Sequence, residues 1–230
     1  MPPHPVHALI PCAGSGSRAG TAGPKQYQPL MGRPLVLHTL AAFAALPWLA
    51  RCVVVVSPGD GFQGFAGSGF EAVPVGGATR AASVLAGLRW LRAQGAGAED
   101  RVLVHDAARC LVEPADIERL VAACADDPVG GLLALPLPDT LKQERDGRAT
   151  GTIDRSGKWL AQTPQMAPLG LLMDALALAE PSGFEGVTDE ASALEARGLA
   201  MRLVPGAARN FKVTYPADFS LAEAVLRSRA

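Results

Sequence analysis

Aromatic residues are scarce in this 230-residue chain, at 5% Phe, Trp and Tyr. A core has to be built from Ala, Val and Leu instead, in keeping with an apolar content of 49%. An excess of charge of one sign is also missing: 21 Lys and Arg face 22 Asp and Glu, for a formal charge of −1. Without a basic excess the chain has no footprint for a nucleic-acid polymer. Cysteines number only four, Cys12, Cys52, Cys110 and Cys124, with no C-x-x-C pair and no histidine at zinc spacing. They read as small buried hydrophobes in a reducing compartment. No uncharged apolar run reaches the ~18 residues of a membrane span. Met1–His7 lacks a basic segment leading into an apolar one, so no signal peptide is expected. A cytoplasmic protein without membrane contact is what these absences predict.

With 49% apolar and 19% charged residues, disorder is excluded. A single compact domain of this length buries roughly 70–75% of its unfolded surface and needs no staple. No internal repeat and no long linker divides the chain, so one domain over 1–230 is expected. The length leaves no room for a second enzyme domain, and a fused bifunctional form is not expected.

Short apolar runs alternate with longer helical patterns. The spacing predicts strands over Val6–Pro11, Arg51–Ser57, Glu71–Val75, Arg101–His105, Val129–Leu137 and Ala200–Val204. It predicts helices over Pro34–Leu46, Thr79–Ala93, Pro114–Ala125, Leu169–Ala179, Asp189–Ala196 and Pro216–Arg227. This alternation predicts an α/β fold with a doubly wound, mostly parallel sheet. Ligands bind such sheets at the carboxyl ends of strands, which draws attention to the loops after Pro11, His105 and Leu137. Residues 138–165 break the rhythm. They are polar and turn-rich, with hairpin signals at Asp146-Gly147 and Ser156-Gly157, and predict a projecting β-arm that packs on a second subunit.

The first loop is rich in glycine and small residues from Pro11 to Gly23-Pro24, which lets backbone N–H groups approach a polyphosphate. Arg18 and Lys25 add the charge that a triphosphate requires. The phosphate-loop signature G-x-x-x-x-G-K-[ST] is absent. Gly14-Ser-Gly16-Ser-Arg-Ala19 matches a dinucleotide fingerprint, but its context fails: the second strand ends in Val56-Ser57 and supplies no acid for a ribose.

P-C-A-G-S-G-S-R followed by G-P-K-Q-Y resembles the opening of the bacterial 2-C-methyl-D-erythritol 4-phosphate cytidylyltransferases, which are nucleotidyltransferases of sugar-nucleotide type. Later segments extend the resemblance over nearly the whole chain, in order. They are Gly76-Gly77 with Arg80 and Ser83-Val-Leu-Ala-Gly-Leu88, then Val102-Leu-Val-His-Asp-Ala-Ala-Arg109, Asp139-Thr140 and Thr152-Ile-Asp-Arg155. Thr163-Pro-Gln165, Thr188-Asp-Glu-Ala-Ser192 and Asn210-Phe-Lys-Val-Thr214 complete the series.

The resemblance implies transfer of CMP from CTP to the phosphate of methylerythritol phosphate, with release of pyrophosphate. The attacking phosphate oxygen is already ionised at neutral pH, so the task is positioning and charge neutralisation, with no general base. By resemblance Arg18 and Lys25, on an exposed loop, steady the α-phosphate. Cys12, Ala13, Gly14, Gly16, Gly77, Ser83 and Ala107 line the nucleotide, mostly through backbone groups. Asp106 is the implied Mg2+ ligand, with Mn2+ an acceptable substitute. A helix N-cap aspartate is the plain alternative for Asp106. Magnesium needs only one or two carboxylates besides substrate phosphates. Asp106, Arg109, Thr140, Arg155, Thr188 and Lys212 would hold the acceptor, with Arg155 and Lys212 on its phosphate. An arm salt bridge to Asp154 or Asp146 is the plain alternative for Arg155. The family's arm reaches a partner subunit, which implies a homodimer.

His105 is expected to be a structural hydrogen-bonder, and Cys12 a packing residue without a charged partner to activate it. His4, His7 and His38 carry no ligand pattern. Three departures from the family pattern stand out: Ala78 where an acid or amide is usual, Cys110 where proline is common, and Arg209, expected to sit near Lys212 and bear on acceptor choice. Other readings remain open at this point: the same chemistry on another polyol phosphate such as ribitol 5-phosphate, a nucleotide-binding regulatory module, and a dinucleotide oxidoreductase.

Overall fold

A computed structural model describes residues 3–14, 23–65 and 69–229. Its elements follow the chain as β1 (Val6–Pro11), β2 (Pro29–Leu30), β3 (Arg33–Pro34), α1 (Leu35–Ala44), β4 (Arg51–Val55), β5 (Glu71–Val73), α2 (Arg80–Ala93), β6 (Arg101–Val104) and α3 (Pro114–Cys124). Then come β7 (Gly131–Pro136), β8 (Leu141–Arg145), β9 (Arg148–Ile153), β10 (Trp159–Pro168), α4 (Leu169–Ala179), α5 (Glu190–Glu195), β11 (Arg202–Pro205) and α6 (Pro216–Arg227).

Seven strands form the central sheet in the order β11-β7-β10-β6-β1-β4-β5. β10 is antiparallel to both its neighbours, and the other described pairings in this sheet are parallel. Alternation along buried strands sorts the core onto two faces. Ala8 and Ile10 of β1, Val54 of β4 and Leu103 of β6 pack with Leu40 and Phe43 of α1 and with Ile117 and Leu120 of α3. Leu9, Val53, Val55, Val102 and Val104 point the other way, onto Val84 and Leu88 of α2 and Leu172 and Leu176 of α4. A third cluster joins Ala222 of α6 to Leu30, Leu111 and Val213, bringing the C-terminal segment beside the first loop. α2 sits close to the sheet because Gly87 has no side chain: a Cβ there would lie 2.6 Å from Val55 Cγ2 and 2.7 Å from Leu9 Cδ1.

The doubly wound, mostly parallel sheet is as expected. The arm is smaller than 138–165. Only the β8–β9 hairpin projects, turning at Asp146 and Gly147, whose φ angles of 52° and 74° suit the Asp-Gly turn. Residues 159–168 are instead a ten-residue strand inside the central sheet. Their polarity suggested surface, yet Gln162, Thr163 and Gln165 are buried and hydrogen-bonded. A buried polar residue with partners carries no desolvation penalty large enough to expel it from a sheet.

Candidate active site

At the carboxyl ends of β1 and β6 lies a cavity of about 490 Å³. Cys12, Ala13 and Gly14 from the first loop form one wall, with Lys25 and Gln26 beside them. Gly77, Ala78, Thr79, Arg80 and Ser83 come from the start of α2, and Asp106, Ala107, Ala108 and Lys212 close it. A second cavity of about 230 Å³ shares Arg80, Asp106 and Lys212, and adds Arg109 and Thr188. Most of the expected site residues are thus brought together.

Local chemistry explains the shape of the first loop. Gln26, which sequence reasoning did not single out, donates both N–H groups of its buried amide to Cys12 O at 2.8 Å and Gly14 O at 2.9 Å. Cys12 is 2% exposed, and burial pushes its thiol up to about 12, which disfavours the thiolate and suits the packing role expected of it. Thr79 caps α2 through its side chain, which accepts from Ala82 N at 3.1 Å. Ser83 Oγ accepts from Gly77 N at 3.1 Å and donates to Thr79 O at 2.9 Å, so the expected nucleotide contact at Ser83 is also what shapes this loop.

Lys25 corrects an expectation. It is 8% exposed, on a single turn of 3-10 helix, and its Nζ donates to Val213 O at 2.7 Å. Arg18 and Gly16 lie outside the described residues.

Asp106 is the electrostatic centre. Its Oδ1 is 2.9 Å from Arg80 Nε, and its Oδ2 is 2.9 Å from Lys212 Nζ and 3.6 Å from Arg109 Nε. Burial alone would raise its carboxyl, but Arg80, then Lys212 and Arg109, hold it well below the usual carboxylate range. It caps no helix, because the backbone after β6 continues into a turn. Arg80, quoted only as part of a motif, proves to be a junction: it also grips Glu190 with Nη1–Oε1 at 2.7 Å and Nη2–Oε2 at 3.1 Å. Both carboxylates hold it charged more firmly than an ordinary arginine, against the opposing effect of its burial.

Beneath this charge layer runs a chain of hydrogen bonds. Asp106 N donates to Thr163 Oγ1 at 3.0 Å. His105 Nε2 is 3.1 Å from Arg109 O, an acceptor only, so Nε2 carries the proton and Nδ1 accepts from the Thr163 hydroxyl at 3.0 Å. Burial pushes His105 down to about 4, so it is neutral in this site. It is the structural hydrogen-bonder anticipated.

The acceptor residues divide. Arg109 stays beside Asp106, and its guanidinium also reaches Asn210 O at 2.8 Å. Thr188 is exposed on the rim of the second cavity, its N–H donating to Ser192 Oγ at 2.9 Å. Thr140 and Arg155 are exposed at the two ends of the arm and line neither cavity. Arg155 donates to Pro138 O, and no ion pair with Asp154 or Asp146 is found among the described residues. Arg209 also departs from expectation. It turns toward the start of α3, pairing with Glu113 at 2.7 Å and Asp116 at 2.9 Å, so its charge is spent away from Lys212.

The only carboxylate lining the first cavity, among the described residues, is Asp106, and both its oxygens already face cations. This donor set does not make an all-protein metal cage. It fits a magnesium ion held mainly by phosphates, with Asp106 as the single protein carboxylate.

Comparison with known proteins agrees with the geometry. The family model described as "IspD: 2-C-methyl-D-erythritol 4-phosphate cytidylyltransferase" matches residues 6–228. A bifunctional enzyme IspD/IspF of Albidiferax ferrireducens is 62% identical over 226 residues, covering 97% of this chain and 53% of that protein. The chain thus spans about half the length of that relative. The 2-C-methyl-D-erythritol 4-phosphate cytidylyltransferase of Paraburkholderia phytofirmans is 52% identical over 228 residues, covering 96% and 95%. A crystal structure of 4-diphosphocytidyl-2C-methyl-D-erythritol synthase superposes with a TM-score of 0.85 at 37% identity, covering 97% and 99%. With its strand-end cavity, its loop cations and the matched span, this chain belongs to the 2-C-methyl-D-erythritol 4-phosphate cytidylyltransferase family.

Proposed function

We propose that the chain transfers CMP from CTP to 2-C-methyl-D-erythritol 4-phosphate and releases pyrophosphate. The observation that carries this reading is the meeting of two cavities at Asp106, with Arg80, Arg109 and Lys212 around it and Lys25 in the nearer wall. The larger cavity takes the nucleotide. Its wall from Cys12 to Gly14 offers backbone groups to the base and ribose, and Gly77 and Ala107 leave room for them. The smaller cavity takes the acceptor between Arg109, Thr188 and Lys212.

An oxygen of the acceptor phosphate attacks the α-phosphorus of CTP. The new P–O bond forms as the bond to pyrophosphate breaks, and the leaving group departs as an anion. The acceptor oxygen carries its own negative charge, so the protein removes no proton, in keeping with a neutral His105. Lys25 and Arg18 oppose the charge that builds on the α-phosphate. Lys212 aligns the acceptor phosphate as a point charge, and Arg155 grips it with a planar fork. Asp106 would hold magnesium, or manganese in its place, together with the phosphates; when bound, the ion offsets phosphate charge.

Arg155 and Thr140 reach a site if the β8–β9 arm crosses to a second copy of the chain. The hairpin's exposure along both strands supports such a homodimer. Four free cysteines suit a reducing cytoplasm. The test is pyrophosphate release with Mg2+, crossing the four nucleoside triphosphates with methylerythritol phosphate and ribitol 5-phosphate. Release with CTP and methylerythritol phosphate alone is the expected result. Release only with ribitol 5-phosphate, or none from folded protein, would overturn the reading.

A further inference from the structure

Glu190 has no part in the roles above, yet it is the most deeply buried acid near them. It opens α5 and is 1% exposed. A carboxylate taken from water at that depth is tolerated only when its oxygens are well paired. Here both are taken by one guanidinium, Nη1 to Oε1 at 2.7 Å and Nη2 to Oε2 at 3.1 Å. This is the two-point fork that only arginine can make. The third edge of the same guanidinium, Nε, lies 2.9 Å from Asp106 Oδ1. Arg80 is therefore fixed on one side and fixes Asp106 on the other.

The remaining partner of Asp106 is held differently. Lys212 makes a single contact at 2.9 Å to Oδ2, and its side chain is 35% exposed. Among the described residues the ion pairs of this cluster join three cations to two carboxylates, and Asp189 adds a third carboxylate to the wall of the second cavity. Asp106 thus serves Lys212 as an internal anion. The ammonium is the more open end of this contact, whereas the carboxylate is held from behind by a guanidinium that Glu190 grips at two points.

We propose that Glu190 is a positioning residue that acts through Arg80 to hold Asp106 still, so that Lys212 exchanges its partner for the acceptor phosphate. The inference rests on the reaction proposed above. A plain structural role would be that of an acid at a helix start. The neighbouring Ala191 N–H is already met by Gln165 Oε1 at 2.8 Å, and Asp189 caps Ser192 N at 2.9 Å, so α5 has other partners for its first turn.

The test uses the full chain and reads pyrophosphate release, CTP affinity by calorimetry and the thermal midpoint. Glu190→Gln is expected to lower kcat roughly 10- to 100-fold, as a misplaced positioning group does, while the Kd for CTP changes less than about threefold. Glu190→Asp keeps the charge and is expected to recover most of the loss. Arg80→Lys keeps the charge but lacks the fork, and is expected to fall with Glu190→Gln. The double variant is expected to be no worse than the weaker single, since residues acting as one unit are not additive. Wild-type kcat in folded Glu190→Gln would overturn the inference. So would multiplicative losses in the double variant, or kcat, CTP affinity and midpoint falling together. If Glu190→Gln does not fold, Arg80→Lys decides by the same criteria, with wild-type kcat in the folded variant overturning the inference. An inactive wild-type enzyme would instead overturn the reaction itself, and this inference with it.

Discussion

The ammonium of Lys25 donates to the backbone carbonyl of Val213 across 188 positions of sequence, at 2.7 Å. A cation expected to face the nucleotide is thus also a buried tie between the first loop and the segment before α6. Lys25→Ala is expected to lower kcat by about a thousandfold, as loss of an oxyanion-type donor does. It should also cost roughly 1–3 kcal/mol of stability through the carbonyl left unmatched. Rates of pyrophosphate release and urea midpoints measure the two effects separately. A fall in rate without any loss of stability would contradict the tie.

His105 makes stability depend on pH. Its folded value is pushed down to about 4, below the ordinary 6.5, so the unfolded chain binds more protons between those values. Stability is therefore full above about 6.5 and falls as pH drops toward 4, by roughly 3 kcal/mol for this one group. Asp106, held low by its cations once burial is overcome, works in a lower window. Its contribution is present above the ordinary carboxylate value and lost only as pH falls below it. Urea midpoints at pH 7 and 4.5 should separate by less in His105→Gln than in the wild type. Turnover between pH 6 and 8 should show no inflection that His105→Gln removes.

Arg155 is expected to act in the neighbouring subunit. Arg155→Ala should leave CTP affinity within about twofold, since Arg155 lines no nucleotide cavity of its own chain, while kcat/KM for the acceptor falls roughly a hundredfold. The sharper test mixes two inactive chains, Arg155→Ala and Lys25→Ala, by co-expression. In the mixed dimer one site has Lys25 from one chain and Arg155 from the other. Activity returning to about a quarter of wild type is the expected value for random pairing of symmetric dimers. No recovery would place both residues in one chain's site.

Asn210 pins the last loop to β10. Its side chain is 0% exposed, and Nδ2 donates to Thr163 O at 2.8 Å. Asn210→Leu should destabilise by about 1–3 kcal/mol, because the Thr163 carbonyl loses its donor in a dry place. Chemical denaturation gives the value, and an unchanged midpoint would show that water replaces the amide.

Much of this was legible in the residues themselves. Pro216 at the first turn and the run to Arg227 set the bounds of α6 correctly. The four valines from Val53 to Val56 announced a strand covered on both faces. Gly-rich spacing with Lys25, and Asp106 after an apolar strand, located the cavity. What escaped has a common cause. Sequence polarity reads as exposure, whereas Gln162, Thr163, Gln165 and Lys25 are polar groups buried with partners far along the chain. Those partners are visible only after folding. Arg80 and Glu190 are 110 residues apart, and no local pattern pairs them. Arg209 was drawn toward Lys212 by proximity in sequence, but the acids at the start of α3 offered stronger company.

The tie from Lys25 to Val213 and the contact from Lys212 to Asp106 have a consequence for synthesis. Both partners from the last loop emerge from the ribosome after all seven strands of the central sheet. A nascent chain halted before Asn210 lacks the carbonyl that seats Lys25 and the ammonium that faces Asp106. The first loop and Asp106 therefore gain these two C-terminal partners only in the closing stretch of synthesis.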